Sequence, residues 1–215
     1  MRGLLDTSLW SAYDVGSTLI DETVSYRRFA NECALVLRSH GKQVSAAEFL
    51  EKMKEIAALG EAPIRSAWSW YGLPASLRPR WKHVDEILYP DVIPTLNYLS
   101  QFYHLGIIAN QGRGLEERLE VFGIRHFFDR IICSEEIGYK KPNRAIFDVA
   151  LADANCRAED AIYIGDRMDN DILPAKAVGM RTVHILQGIG PRDCPNTRLE
   201  SDITIQQLSD LCSLF

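Results

Sequence analysis

Four charged residues, far apart in the chain, have the types and settings from which phosphorus chemistry could be built. Asp14 stands in "YDVGSTLIDE" (13–22), at the mouth of a Gly-Ser-Thr turn; Lys141 stands in "YKKPNRAIF" (139–147); Asp166 and Asp171 stand in "GDRMDND" (165–171). A carboxylate can attack phosphorus only when a cation offsets its repulsion from the phosphate oxygens. Mg²⁺ is the usual solution, because it takes oxygen ligands and is held by one or two carboxylates plus the phosphate itself. Asp14, Asp166 and Asp171 offer such oxygens, and the glycine before Asp166 lets the backbone turn sharply. Each residue also has an ordinary reading. Asp14 could cap a turn, Asp166 could be a turn carboxylate, Asp171 could be an acid favoured at a helix start, and Lys141 could be a solvated lysine with Lys140 as its rival.

These residues need elements to carry them. "LGIIAN" (105–110), "DRIICS" (129–134), "DAIYIGD" (160–166) and "MRTVHI" (180–185) are short runs rich in Ile and Val that read as buried strands. Between them, "GLEERLEVFG", "NRAIFDVALADA" and "NDILPAKAVG" carry apolar residues at helical spacing, with Gly123 and Gly179 as stops. Strands alternating with helices of this length predict right-handed crossovers and an α/β fold on a parallel sheet. Ligands bind beyond the carboxyl ends of such strands. Asp14, Asn110, Ser134 and Asp166 all fall at such ends, although Ser8 and Ser11 make the first strand a poor one.

Residues 21–90 have a different texture. Two amphipathic helices are expected over 21–41 and 45–60, with no strand before Tyr89 and with Pro63, Pro74 and Pro79 breaking the later part. The expected organisation is therefore a core of residues 1–20 and 91–215 with an all-helical insert over 21–90. The tail "DITIQQLSDLCSLF" reads as a last short strand and a closing helix. Trp68, Trp70, Tyr71 and Trp81 suit the packing of a small helical unit. Arg65, Lys82 and His83 read as solvated charges, and Asp21 and Glu22 as helix-start acids, with a substitute acid for the Asp14 site as the alternative.

The 215 residues are 47% hydrophobic and 25% charged with a net charge of -5, the profile of a globular protein. The acidic balance, without a basic cluster, argues against nucleic acid and for a small-molecule partner. No stretch of about 18 apolar residues suggests a membrane span. The five scattered cysteines, among them Cys194, show no paired spacing and are expected to be reduced. The expected setting is the cytoplasm, as a monomer or homodimer.

Taken in order, Asp14 to Thr18, Asn110, Lys141 followed by Pro142 and an Ile-Phe helix, and Asp166 with Asp171 before Ala and Gly resemble the haloacid-dehalogenase-like hydrolase superfamily over nearly the whole chain. The resemblance implies a Rossmann-like core, a helical cap over 21–90, and a Mg²⁺-assisted aspartyl-phosphate intermediate formed from a small phosphorylated metabolite. It makes Asp14 the nucleophile. The Gly16 carbonyl and Asp166 would complete the metal shell with Asp14, and Asp171 would hold metal-bound water or orient Lys141. Lys141 would neutralise nucleophile and phosphate, Thr18 would support the loop, and the amides after Asn110, through Gln111 and Gly112, would cradle phosphate oxygens.

Two positions depart from the family pattern. Gly16 replaces a second aspartate that serves as acid and base, a group worth about 10² to 10⁴ in rate, and Ala109 replaces a phosphate-binding Ser or Thr. Easily departing leaving groups are then expected to be favoured, and Gly16→Asp is expected to raise turnover on alkyl phosphates. The same losses keep two alternatives open: an impaired relative that binds a phosphorylated ligand, and a metal-free dehalogenase. In phosphonate-cleaving relatives a cap lysine forms a Schiff base, and Lys52 and Lys54 lie in the insert.

Overall fold

The computed structural model describes residues 9–190 and 201–214, so Cys194 lies outside the described residues. In chain order the strands are β1 (Trp10–Tyr13), β2 (Ile20–Asp21), β3 (Ile87–Leu88), β4 (His104–Ala109), β5 (Arg130–Cys133), β6 (Ala161–Gly165), β7 (Arg181–Ile185) and β8 (Ile203–Ile205). The helices are α1 (Thr23–Ser39), α2 (Ala46–Ala58), α3 (Pro63–Trp70), α4 (Val92–Leu99), α5 (Leu115–Val121), α6 (Ser134–Ile137), α7 (Arg144–Asp153) and α8 (Leu173–Ala177).

Six strands form one sheet in the order β5-β4-β1-β6-β7-β8, with every pairing parallel. The chain builds outward from β1 through β4 to β5, then crosses back to β6 on the other side. That reversal puts the carboxyl ends of β1, β4 and β6 side by side, where an open parallel sheet leaves a crevice. β1 forms despite its serine because all four of its residues are buried, Ser11 included. Its alternation serves both faces: Trp10 and Ala12 pack with Ile108, Phe147 and Ala175, while Tyr13 packs with Leu96, Leu119 and Leu208. Gly106 makes room for the Trp10 indole, since a Cβ there would stand 2.4 Å from the ring.

Between β2 and β3 the chain forms α1, α2 and α3, whose buried Phe29, Leu37, Phe49, Met53 and Trp68 make a separate apolar cluster. The Ser45 hydroxyl and the Glu48 carboxylate close a capping box at the start of α2. Three details differ from the sequence expectations. Residues 20–21 and 87–88 pair as a short antiparallel ribbon, too short to show as an alternating pattern. Pro63 opens α3 rather than breaking a helix, because a proline in the first turn lacks only an N–H that would have no partner there. The stretch expected as one helix after Asp166 begins as a wide π-turn over Met168–Ile172 and becomes α-helical only from Leu173.

The aromatic residues of this region mostly serve packing. Trp68 is buried, Tyr71 stacks on Phe49 at 5.6 Å, and Trp81 meets Tyr26 at 4.9 Å. Trp70 is exposed, with the Lys52 ammonium 4.4 Å from its ring centre. Lys52 and Lys54 pair with Glu55 and Glu51 on the surface of α2. None of the described helices is long and apolar enough to cross a membrane.

Candidate active site

Asp14 directly follows β1, and its amide donates to the Ile164 carbonyl on β6 at 2.9 Å. Asp166 follows Gly165 at the end of that neighbouring strand, so the two carboxylates come from adjacent strand ends. Asp171 joins them from the π-turn, folded so closely over Gly165 that a Cβ on the glycine would lie 2.6 Å from the Asp171 Cβ. One carboxylate oxygen from each of Asp14, Asp166 and Asp171 lies within 4.8 Å of the other two.

Lys141 is the buried cation of the group. Its Nζ donates to Asp171 Oδ1 at 2.5 Å, to Asp14 Oδ1 at 2.6 Å and to the Tyr163 hydroxyl at 2.8 Å. Tyr163 passes a hydrogen bond on to the Ile108 carbonyl at 2.7 Å. Asp171 is fully buried, and its second oxygen accepts from the Arg167 amide at 3.1 Å. Of the two roles open to it, orienting Lys141 is the one its hydrogen bonds serve. Lys140 takes no part in this cluster.

The Asn110 side chain has a task that the sequence did not suggest. Its amide clamps the Lys141 backbone, Nδ2 donating to the carbonyl at 2.8 Å and Oδ1 accepting from the N–H at 2.7 Å. The side chain therefore positions the lysine, and contact with a phosphate is left to the amides that follow. The Gln111 and Gly112 amides donate to no group among the described residues, whereas the next amide, that of Arg113, is taken by Glu135 at 2.6 Å. The Ser134 hydroxyl bonds the Gln111 carbonyl at 3.3 Å. Thr18 is fully buried and its hydroxyl has no partner among the described residues, so it supports the turn by packing.

The charges here are poorly balanced. Burial pushes the Asp14 carboxyl up, with Lys141 opposing and Asp171 adding to the shift. Burial raises Asp166 much further, helped by the charges of Asp171 and Asp14. Burial alone would lower the Lys141 ammonium, but attraction to Asp14 and Asp171 outweighs it and holds the lysine protonated. Arg167, the cation nearest in sequence to Asp166, is turned to Asp169, with Nε 3.0 Å from Oδ1. No donor reaches the Asp166 carboxylate among the described residues. An all-oxygen set with uncompensated negative charge fits Mg²⁺, and a bound divalent ion would reverse the upward shifts.

The loop after Asp14 meets a residue that the sequence offered only as an alternative acid. Gly16 has no side chain, and a Cβ built on it would lie 2.8 Å from Oε2 and 2.9 Å from Oε1 of Glu22. The Glu22 carboxylate thus fills the space that a side chain at 16 would need. Gly16→Asp would bring two carboxylates together unless the end of the flexible Glu22 side chain moved aside, so the expected gain on alkyl phosphates is tied to where Glu22 goes. Glu22 does not behave as a helix-start acid either: although it precedes α1, its side chain caps nothing, and Asp21 accepts from the Thr23 amide instead at 2.8 Å. Burial, with the charges of Glu86 and Asp14 adding to it, pushes the Glu22 carboxyl up to about 8. Periodicity and spacing give no sign of any of this, because it depends on how the turn at 15–20 folds back.

A cleft opens beside Asp166, bounded by Arg167 just past β6, by His184 of β7, by Tyr26 of α1 and by residues 57–63 where α2 gives way to α3. The sequence matches the profile of the haloacid dehalogenase-like hydrolases over residues 13–185. A glyceraldehyde 3-phosphate phosphatase of Methanopyrus kandleri is 45% identical over 103 residues, 46% of this chain and 44% of that protein. The protein of the same name from Methanocaldococcus jannaschii is 40% identical over 129 residues, 59% of this chain and 55% of that one. The chain thus matches about half the length of these curated relatives. A haloacid dehalogenase-like hydrolase of Streptococcus pneumoniae superposes with a TM-score of 0.76 at 20% identity, covering 97% of this chain and 99% of that one. With its profile match spanning most of its length and its parallel sheet ordered as described, the chain belongs to the haloacid dehalogenase-like hydrolases.

Proposed function

We propose that this protein is a Mg²⁺-dependent phosphatase or phosphotransferase that acts on a small phosphorylated metabolite through a phosphoryl group carried on Asp14. The observation that supports this reading most is the placement of Asp14: its side chain is 15% exposed, bonded to the Lys141 ammonium at 2.6 Å, and clustered with Asp166. Asp14 is the member of the carboxylate cluster that is both reachable from solvent and aligned by a buried cation. The names of the two archaeal relatives favour a short, sugar-like phosphate as the class of substrate.

In this reading Asp14 attacks the phosphorus and Lys141 neutralises charge on the nucleophile and on a phosphate oxygen. Asp171 and the Asn110 amide hold Lys141 in place, and the Gln111 and Gly112 amides meet the remaining phosphate oxygens. Mg²⁺ held by Asp14 and Asp166 would supply the positive charge that lets two anions approach. Purified protein is expected to hydrolyse 4-nitrophenyl phosphate with Mg²⁺ and to stop when EDTA is added or Asp14 is changed to Asn. Turnover that survives either change would refute the proposal.

A further inference from the structure

We infer that Glu22 supplies the second carboxylate of this site, giving a proton to the leaving oxygen and later taking one from the attacking water. The inference rests on the reading of Asp14 as nucleophile and adds a residue that lies outside the motif turn, at the start of the helical region. Three features carry it. Position 16, two residues beyond Asp14, is glycine, and the Glu22 carboxylate lies within 3.0 Å of the point where a Cβ would be. Ser17 occupies the left-handed region with φ at +56°, which a non-glycine residue adopts at a cost, and its hydroxyl donates to Glu22 Oε2 at 3.1 Å. Glu22 is the residue from which α1 starts, yet its side chain turns back toward the sheet instead of capping the helix.

The combination is reciprocal. Glycine at 16 leaves the space, Glu22 enters it from the strand-to-helix junction, and Ser17 tethers it at the expense of backbone strain. A carboxylate reaching the volume beside Asp14 from six residues beyond Gly16 is then placed as a side chain at 16 would be. It also sits where the helical region joins the core, so closing of that region over a substrate would carry it.

The chemistry balances in two steps. As an Asp14 oxygen bonds to phosphorus, the ester P–O bond breaks with its electron pair going to the leaving oxygen, which takes the proton from Glu22. Water then attacks the phosphoryl group and gives a proton to the Glu22 carboxylate. The P–O bond to Asp14 breaks, releasing phosphate and restoring both side chains.

The test compares wild type and Glu22→Gln, with Mg²⁺, on 4-nitrophenyl phosphate, whose leaving group needs no proton, and on glycerol 3-phosphate, whose leaving group does. Wild type is expected to turn over both. Glu22→Gln is expected to lose about 10² to 10⁴ in kcat/KM on the alkyl ester, while first-turnover release of nitrophenol falls by less than about tenfold. Phosphorylated Asp14 should accumulate, because the second step has lost its base. Equal losses on both esters, or no loss on either, overturns the inference. Should Glu22→Gln fail to fold, Gly16→Asp combined with Glu22→Ala is expected to regain alkyl turnover that Glu22→Ala lacks, and absence of that gain also overturns it. A wild type inactive on both esters overturns the nucleophile assignment and this inference with it, whereas an active wild type with an indifferent Glu22→Gln overturns this inference alone.

Discussion

Lys141 and Glu22 are both buried charged residues within reach of Asp14, and their surroundings are opposite in kind. Lys141 has two carboxylates and a tyrosine hydroxyl on its ammonium, with its own backbone clamped by Asn110. Glu22 has one serine hydroxyl, at 3.1 Å, and a second acid, Glu86, as a neighbour. The Glu86 side chain is itself almost fully buried, with His83 on one oxygen and Arg118 3.5 Å from the other. A compensated charge is held still and aligns its partners. A charge left in tension is one whose protonation can change, which is why perturbed carboxyls gather at sites of reaction. The rim of the sheet therefore carries a compensated half on the side of β4 and β6 and an uncompensated half where the chain enters the helical region.

The largest expected effect tests the residue the two halves share. Asp14→Asn should lower kcat/KM on an aryl phosphate by on the order of 10⁴-fold or more, as removal of a nucleophile does, with circular dichroism unchanged. Next, Lys141→Met should destabilise the fold by about 3–5 kcal/mol in urea unfolding, because Asp171 would be left charged and buried without a cation. A loss below about 1 kcal/mol would mean that the Lys141 cluster is no better coupled than a solvent-exposed pair.

Mg²⁺ at a hundred times its dissociation constant should stabilise the protein by about 2.7 kcal/mol, read as a rise in Tm. Asp166→Asn should abolish that rise while leaving the Lys141 cluster intact. Gly16→Asp should displace the end of the Glu22 side chain at a cost of about 1 kcal/mol, the low end for an overpacking change, and should lower turnover rather than raise it. A gain in alkyl phosphate turnover would show that Glu22 yields its space freely.

A further effect separates the halves by pH. The Glu22 carboxyl is raised from an ordinary 4.5 to about 8 in the folded chain. The folded state therefore keeps a proton that the unfolded state gives up, and this residue's contribution to stability declines as pH rises from about 4.5 to 8. Measured in EDTA, Glu22→Gln should remove that part of the decline and become relatively more stable toward pH 8. Identical pH profiles for the two proteins would show that Glu22 is not in tension.

Much of the sheet was legible because buried parallel strands are short apolar runs with helices between them, and the runs ending at Asn110 and Asp166 announce themselves that way. The ribbon at 20–21 and 87–88 was not, since two residues carry no period. The pairing of Lys141 rather than Lys140 with Asp14 followed from resemblance, but its Tyr163 partner did not, because a tyrosine inside "AIYIG" reads only as strand filling. Asn110 was legible as a strand-end residue, but the clamp of its side chain on Lys141 was not, as nothing local reveals which backbone an amide will hold.

By itself the chain's sequence determined the alternation of strands and helices, and with it the strand ends at which Asp14, Asn110 and Asp166 emerge, because hydrophobic period and glycine stops are local properties. Only the tertiary structure decided which acid fills the space at Gly16. That choice depends on a turn folding back so that a side chain from the start of α1 enters a gap beside β1, and an empty volume beside a glycine exists only once the surrounding chain has packed.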